Sequence, residues 1–204
     1  METALRVGIA IYNAGDYHEA HDAWEDRWLA LDTGTDDERF LHGLIQFTAA
    51  VHHATECNWT GATGLAESAC EYLDDLPADY RAVDVAAVRE YLAALRADPE
   101  RIERASPLEL THEGEVVVPD DLDFQESTTA AEVYAEDGPF DESVLERGIE
   151  CARADLDAGE GTSPFVTFVM DFARDSENRG IVYQRLSERV ERRQRRESDV
   201  DGLF

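Results

Sequence analysis

Apolar residues recur at three- and four-residue intervals along most of this chain, the spacing that gives a helix one buried face. The first such stretch covers about residues 3–13 and is interrupted by Asn13-Ala14-Gly15. Asp16 can cap a second helix over about 17–30. A polar turn, Thr33-Gly34-Thr35-Asp36-Asp37, precedes a third helix over about 38–56, and Asn58 and Gly61 mark the next break. A fourth, over about 63–76, has Leu65, Ala69, Tyr72, Leu73 and Leu76 as its apolar face and is ended by Pro77. A fifth, over about 83–97, presents Val85, Val88, Leu92 and Leu95. Short connections between these segments predict an all-α fold, a compact bundle of about five helices.

Residues 98–139 change character. The run PLELTHEGEVVVP alternates around Glu113-Gly114 and predicts one small β-hairpin. The run DDLDFQESTTAAEVYAEDGP is acidic and reads as linker with one short helix. Helical patterns return over about 141–157, 163–175 and 178–196, with the apolar run PFVTFVMDF among them. The expected organisation is therefore a helical bundle over 1–97, an acidic linker over 98–139 and a helical C-terminal extension over 140–204.

Two of the predicted helices carry polar groups where core is expected. At about 100° per residue, Tyr17, His21, Trp24, Glu25 and Trp28 share one face of the second helix. His21 and Glu25 are one turn apart and can reach the same point. On the third helix Arg39, Gly43, Gln46, Ala50 and His53 form a similar stripe, whose small residues would admit another backbone. Buried polar groups need partners, so these stripes are either a packing network or a site.

The same residues carry a family resemblance. The runs YNAGDYHEAHDAWEDRW and RFLHGLIQFTAAVHHATECNWTGA resemble the DUF309 family of small helical proteins from bacteria and archaea. The likeness covers roughly residues 5–76. It rests on Gly15, Tyr17, Ala20, His21, Trp24, Glu25 and Trp28, then on the run from Arg39 to Gln46, and on Ala49, Ala50, His53, Asn58, Gly61 and Ala62. Asp22 stands where the family more often has Glu, and His42 where it usually has Gln. Asp22 shortens the carboxylate reach by one methylene; His42 adds an imidazole at the rim. The resemblance implies the family's label of metal-dependent hydrolase.

Composition sets the surroundings. Of the 204 residues 46 are acidic and 18 basic, a formal net charge of -28, and every basic residue is arginine. Such an excess opposes an exposed nucleic-acid groove. It resembles the composition of a salt-in halophilic archaeon, suited to a potassium-rich, high-salt solvent that screens self-repulsion. Without lysine there is no Schiff-base chemistry. Cys57, Cys70 and Cys151 are too few and scattered for a disulfide framework or a zinc–cysteine cluster. The N-terminus lacks the long apolar region of a signal peptide, and no run reaches membrane-spanning length. The expected setting is cytoplasmic, with no membrane partner. The C-terminal run RLSERVERRQRRESD holds six of the eighteen arginines. Interleaved with glutamates, it can dock on acidic surface of its own chain or of a second subunit in a homo-oligomer, remain a solvated helix, or meet nucleic acid.

Walker, dinucleotide-binding, H-E-x-x-H and nucleophile-elbow motifs are absent. Three readings of the polar stripes stand side by side. In the first, His21, Glu25 and His53 ligate a divalent zinc, manganese or iron ion for a hydrolysis. Glu25, Arg39 and Gln46 are then the candidate catalytic groups, and Tyr17, Trp24, Trp28, Arg39 and His42 contact substrate. In the second, the stripes bind a small molecule or anion without chemistry. In the third, His21 and Glu25 pair with Arg39 and Gln46 and lock the bundle.

The charge yields a salt prediction. The Debye length grows from about 3 Å at 1 M salt to about 30 Å at 0.01 M. Carboxylate repulsion then acts across the molecule and opposes compaction. Helical signal or cooperative unfolding should be lost below a few tenths molar salt and recover in molar potassium chloride. Circular dichroism melts across a salt series measure this; a melting temperature that is flat or rises on desalting would show that the acidity is no salt adaptation.

Overall fold

The computed structural model describes residues 1–201, with side chains to 198. The end of the expected extension, residues 202–204, lies outside the described residues. The chain divides into two compact units, Met1–Leu122 and Asp123–Phe204.

The first unit opens with α1 (Glu2–Asn13), α2 (Tyr17–Leu29), α3 (Asp36–Thr55) and α4 (Trp59–Leu73). The strands β1 (Asp79–Tyr80) and β2 (Val83–Asp84) follow, then α5 (Val85–Ala97). A short 3-10 turn, Pro99–Glu103, leads to β3 (Thr111–His112) and β4 (Glu115–Val116), and a second, Pro119–Asp121, ends the unit. The caps follow the sequence chemistry. Thr35, Asn58 and Asp84 each accept a backbone N–H from the first turn of α3, α4 and α5.

The core of this unit forms where α1 meets α2 and where α3 meets α4. Trp24 of α2 is fully buried, and its indole N–H points to the Leu5 carbonyl at 3.4 Å. It lies flat against Gly8: a Cβ there would fall 2.1 Å from Trp24 Nε1. Gly43 does the same for α3 and α4, since a Cβ would meet Leu73 Cδ2 at 2.5 Å. Asn13, the last residue of α1, uses its whole amide. Its Nδ2 donates to Leu110 O and Val117 O, and its Oδ1 accepts from Leu110 N, all at 2.8 Å. One side chain thus holds the β3–β4 segment.

The second unit contains α6 (Phe124–Glu136), α7 (Glu142–Asp157), α8 (Pro164–Arg174) and α9 (Arg179–Asp201). Leu145, Ile149, Phe165, Val169, Phe172, Val182 and Leu186 are buried in it. The Arg179 guanidinium covers the Tyr134 ring at 3.5 Å, and its Nε donates to Phe172 O at 2.9 Å.

The all-α class with minor β structure holds. The expected plan of about five helices with an extension and one hairpin is corrected: the described residues form nine α-helices, and the strands make two separate two-stranded antiparallel sheets, β1–β2 and β3–β4. Two signals were weak. Arg81 and Ala82 both adopt left-handed backbone, φ 53° and 61°, between β1 and β2, a turn usually written with glycine or asparagine. The acidic run after residue 119, expected to be linker with one short helix, holds a 13-residue helix that Asp123 and Glu126 start with a capping box. Apart from Glu126 and Tyr134 its buried residues are small, Ser127, Thr128, Ala130, Ala131 and Ala135, so hydrophobic periodicity understates it.

Gly8→Ala should destabilise the first unit by about 1–3 kcal/mol or more, because the rigid Trp24 indole must be displaced. Gly64→Ala, where a Cβ meets nothing within 4 Å, should be neutral or stabilising. Urea unfolding of both variants checks this; equal behaviour would mean that the indole is not seated on Gly8.

Candidate functional site

The half-buried residues of α3, which include His42, Gln46, Ala49 and His53, recur at helical spacing and form one stripe. On α2 the half-buried set includes His21, Asp22, Glu25 and Trp28, and on α4 it includes Gly61, Leu65, Ser68 and Tyr72. Ring contacts tie the three helices together. The His42 ring stacks on Tyr72 at 3.8 Å and lies 4.5 Å from Trp28. Towards the other end His18 lies 5.8 Å from His52, and His53 Nδ1 meets Asn58 Nδ2 at 2.8 Å. These contacts make α3 antiparallel to both neighbours. Its stripe becomes the floor of a shallow groove, with α2 and α4 as walls and imidazoles towards both ends. Five of the six histidines of the chain lie on α2 and α3.

The predicted residues are distributed along this groove. His21 and Glu25 do meet, and Asp22 joins them: one ligand atom from each of the three lies within 4.8 Å of the others. All three are half-buried. His53 is on α3, engaged with Asn58, and falls in no such cluster among the described residues. Gln46 is half-buried in the floor. Arg39 lies at the start of the stripe, with Nη2 on Asp36 at 2.5 Å and Nη1 on Asp75 at 3.4 Å. Trp24 is core rather than groove lining. Tyr17 packs on Tyr12 at 5.1 Å; burial, then the Asp16 carboxylate, push its phenol up, so it stays a proton donor.

Trp28 and His42 converge on a residue that periodicity did not single out. The indole N–H of Trp28 donates to Glu38 Oε1 at 2.9 Å, and His42 Nδ1 is 3.6 Å from the same oxygen. The Gly34 amide donates to Glu38 Oε2 at 3.1 Å. The indole hydrogen bond, foremost, holds the Glu38 carboxyl below its usual range; the Gly34 amide and His42 add to it, and burial opposes them. The pattern Thr35-x-x-Glu38 was the available signal, because it is a capping-box sequence. Here one carboxylate oxygen stays beside the cap, on the Gly34 amide, and the other turns to Trp28 and His42. Tyr72 was legible only as apolar face, and His18 and His52 only as neighbours of the motif. A cavity of about 380 Å³ in the same unit, lined by Met1, Glu2, Leu5, Arg81, Ala82, His112 and Glu113, takes in none of the predicted residues.

The comparisons with known proteins bear on this groove. Residues 5–65 match the family described as Domain of unknown function (DUF309), less than a third of the chain. The matched part contains α2 and α3 complete and the beginning of α4. A comparison with curated proteins gives no match. No helix among the described residues is long and apolar enough to cross a membrane.

Glu38→Gln should keep the fold and lower the unfolding free energy at pH 7 by about 1–2 kcal/mol, as an amide accepts more weakly than a carboxylate. The folded carboxyl has a depressed pKa, so its contribution is complete above the unfolded value of about 4.3 and disappears as pH falls through the folded value. Wild type and variant should therefore converge in urea titrations near pH 3. A margin that persists at pH 3 would mean that the Glu38 charge does not hold this end of the groove.

Proposed function

We propose that the α2–α3 groove binds a divalent cation and that the protein is a metal-dependent hydrolase. The observation that carries this reading is the convergence of His21, Asp22 and Glu25 within 4.8 Å. The donor set suits zinc, manganese or iron: one imidazole and two carboxylates. Metal–ligand bonds of about 2.0–2.2 Å need ligand atoms somewhat closer together than this, a difference that rotation of half-buried side chains on one helical turn can supply. Three protein ligands would leave an open position, the pattern of a catalytic site. A divalent cation held there supplies Lewis acidity to a hydrolysis.

The chain's own residues have separate tasks in this reading. His21, Asp22 and Glu25 bind the ion, and Glu25 is also placed to take a proton. Gln46 on the floor orients substrate, and Tyr17 offers a hydrogen-bond donor. Trp28 and His42, held by Glu38 and Tyr72, form an aromatic end against which a substrate can stack. His53 extends the polar floor. Arg39 reaches an anionic group only by exchanging Asp36 or Asp75 for it.

A second reading, small-molecule binding without chemistry, is favoured by the half-buried Trp28–His42–Tyr72 ring cluster at one end of the polar stripe. Metal content separates the two. Protein purified without a histidine tag should retain near-stoichiometric divalent metal after mild dialysis. His21→Ala and Asp22→Asn should each lose it while keeping their helical signal. Elemental analysis is the measurement. Less than roughly a tenth of an equivalent in the wild type, with no uptake on titration with zinc or manganese, would overturn the hydrolase reading.

A further inference from the structure

The second unit contains a cavity built from arginine. Arg189, Arg192, Arg193 and Arg196 follow each other at three- and four-residue intervals, so α9 turns all four to one face. They line a cavity of about 280 Å³ together with Asp155, Glu160, Pro164 and Phe165. The chain has only 18 basic residues against 46 acidic ones. Four guanidinium groups around one void therefore gather a scarce residue type in one place, with Glu188 and Glu197 beside two of them.

The walls orient these groups without exhausting them. Arg193 places Nη1 on Asp155 Oδ1 at 3.3 Å and Nε on Glu197 at 3.2 Å. Arg192 places Nε on Glu188 O at 3.0 Å and Nη2 on Glu188 Oε2 at 3.3 Å. The Arg189 guanidinium lies 6.0 Å from the Phe165 ring centre. Each guanidinium has five N–H donors, so every fork keeps donors beyond these contacts. Asp155 is committed to the wall. It is buried, and it accepts the Ser163 hydroxyl at 2.6 Å as well as Arg193. Ser163 in turn caps α8, whose positive end at Pro164 and Phe165 borders the same cavity.

We propose that this cavity is a binding site for the phosphoryl group of a small molecule, a phosphomonoester. Arg192 and Arg193 are paired with Glu188, Glu197 and Asp155, whereas Arg189 and Arg196 form no ion pair among the described residues and supply the positive charge that a ligand would meet. A phosphomonoester carries about -1.5 to -2 at pH 7 and three acceptor oxygens, and planar guanidinium forks match that geometry. The volume is just below the usual range of about 300–1,000 Å³ for drug-sized ligands, enough for a phosphoryl group with a small substituent. A nucleic-acid strand is disfavoured, because its further phosphates would run over a chain of net charge -28. The site lies outside the segment that matches DUF309 and is independent of the proposed metal ion.

Calorimetric titration of the full chain at constant ionic strength tests this, with inorganic phosphate and phenyl phosphate as probes. Both should bind, the ester at least as tightly as the free ion. Arg189→Gln/Arg196→Gln should weaken binding tenfold or more, and Arg185→Gln, on α9 outside the cavity, should stay within twofold of wild type. Amide shifts in wild-type NMR spectra should centre on residues 163–167 and 189–196, which keeps the test open if the double variant misfolds. Absence of phosphate binding at 10 mM, shifts elsewhere, equal affinity in the double variant, or tight binding confined to an RNA oligonucleotide or to a second copy of the chain would each overturn the proposal.

Discussion

The groove of the first unit depends on how closely α3 can be approached by its neighbours. A side chain at Gly43 would collide with Leu73, and this absence of side chain lets α3 and α4 close together. With α4 that near, Tyr72 can stack on His42, and the same imidazole can lie beside Trp28 of α2. The packing of α1 on α2 rests on a similar omission, at Gly8 beneath the Trp24 indole. Two missing Cβ atoms thus set helix spacings on which the polar stripes depend. Glycine in a helix interior lowers intrinsic helix stability by about 1 kcal/mol, and the fully buried Trp24 and Leu73 show what offsets it here.

Half-burial gives the groove its chemical character. His21, Asp22 and Glu25 are half-buried and keep contact with water, so an incoming ion or substrate can reach them. The residues that α2 and α3 turn inward are core, Trp24, Phe40 and Leu44 among them. The three side chains start from one turn of a packed helix, so helix packing fixes their backbone positions and leaves only side-chain rotation free. Glu38 is held more firmly: three groups converge on its carboxylate, and its acidity reflects them.

The second unit uses charge differently. Ion pairs on α9 run along the helix, Glu188 with Arg192, Glu191 with Arg195 and Arg193 with Glu197. Exposed pairs of this kind contribute little, of the order of 0.3–0.5 kcal/mol each. Asp155 is another matter. Buried between α7, α8 and α9, it joins the Ser163 cap to Arg193 and fixes the wall beside which the other arginines stand.

Much of this protein was legible in its residues. Helical periodicity, with breaks at Gly15, Gly34 and Asn58, located α1 to α5 closely, because each helix must hide one apolar face and end where the backbone or a cap allows. The run from Tyr17 to Trp28 marked His21 and Glu25 as neighbours, since i and i+4 side chains meet on any helix. Other features have no local signal. The turn at Arg81-Ala82 runs against propensity, and the small-residue face of α6 carries too little apolar area to show its length or its partners. Glu38 meets Trp28 only because α2 and α3 fold back on each other, and Tyr72 meets His42 only because Gly43 admits α4. Arg39 sits on the expected stripe, yet it turns to Asp36 and Asp75. Spacing along one helix assigns a side chain to a face; which other helix lies against that face, and at what distance, follows from the volumes packed beneath it, and a linear pattern does not contain those volumes.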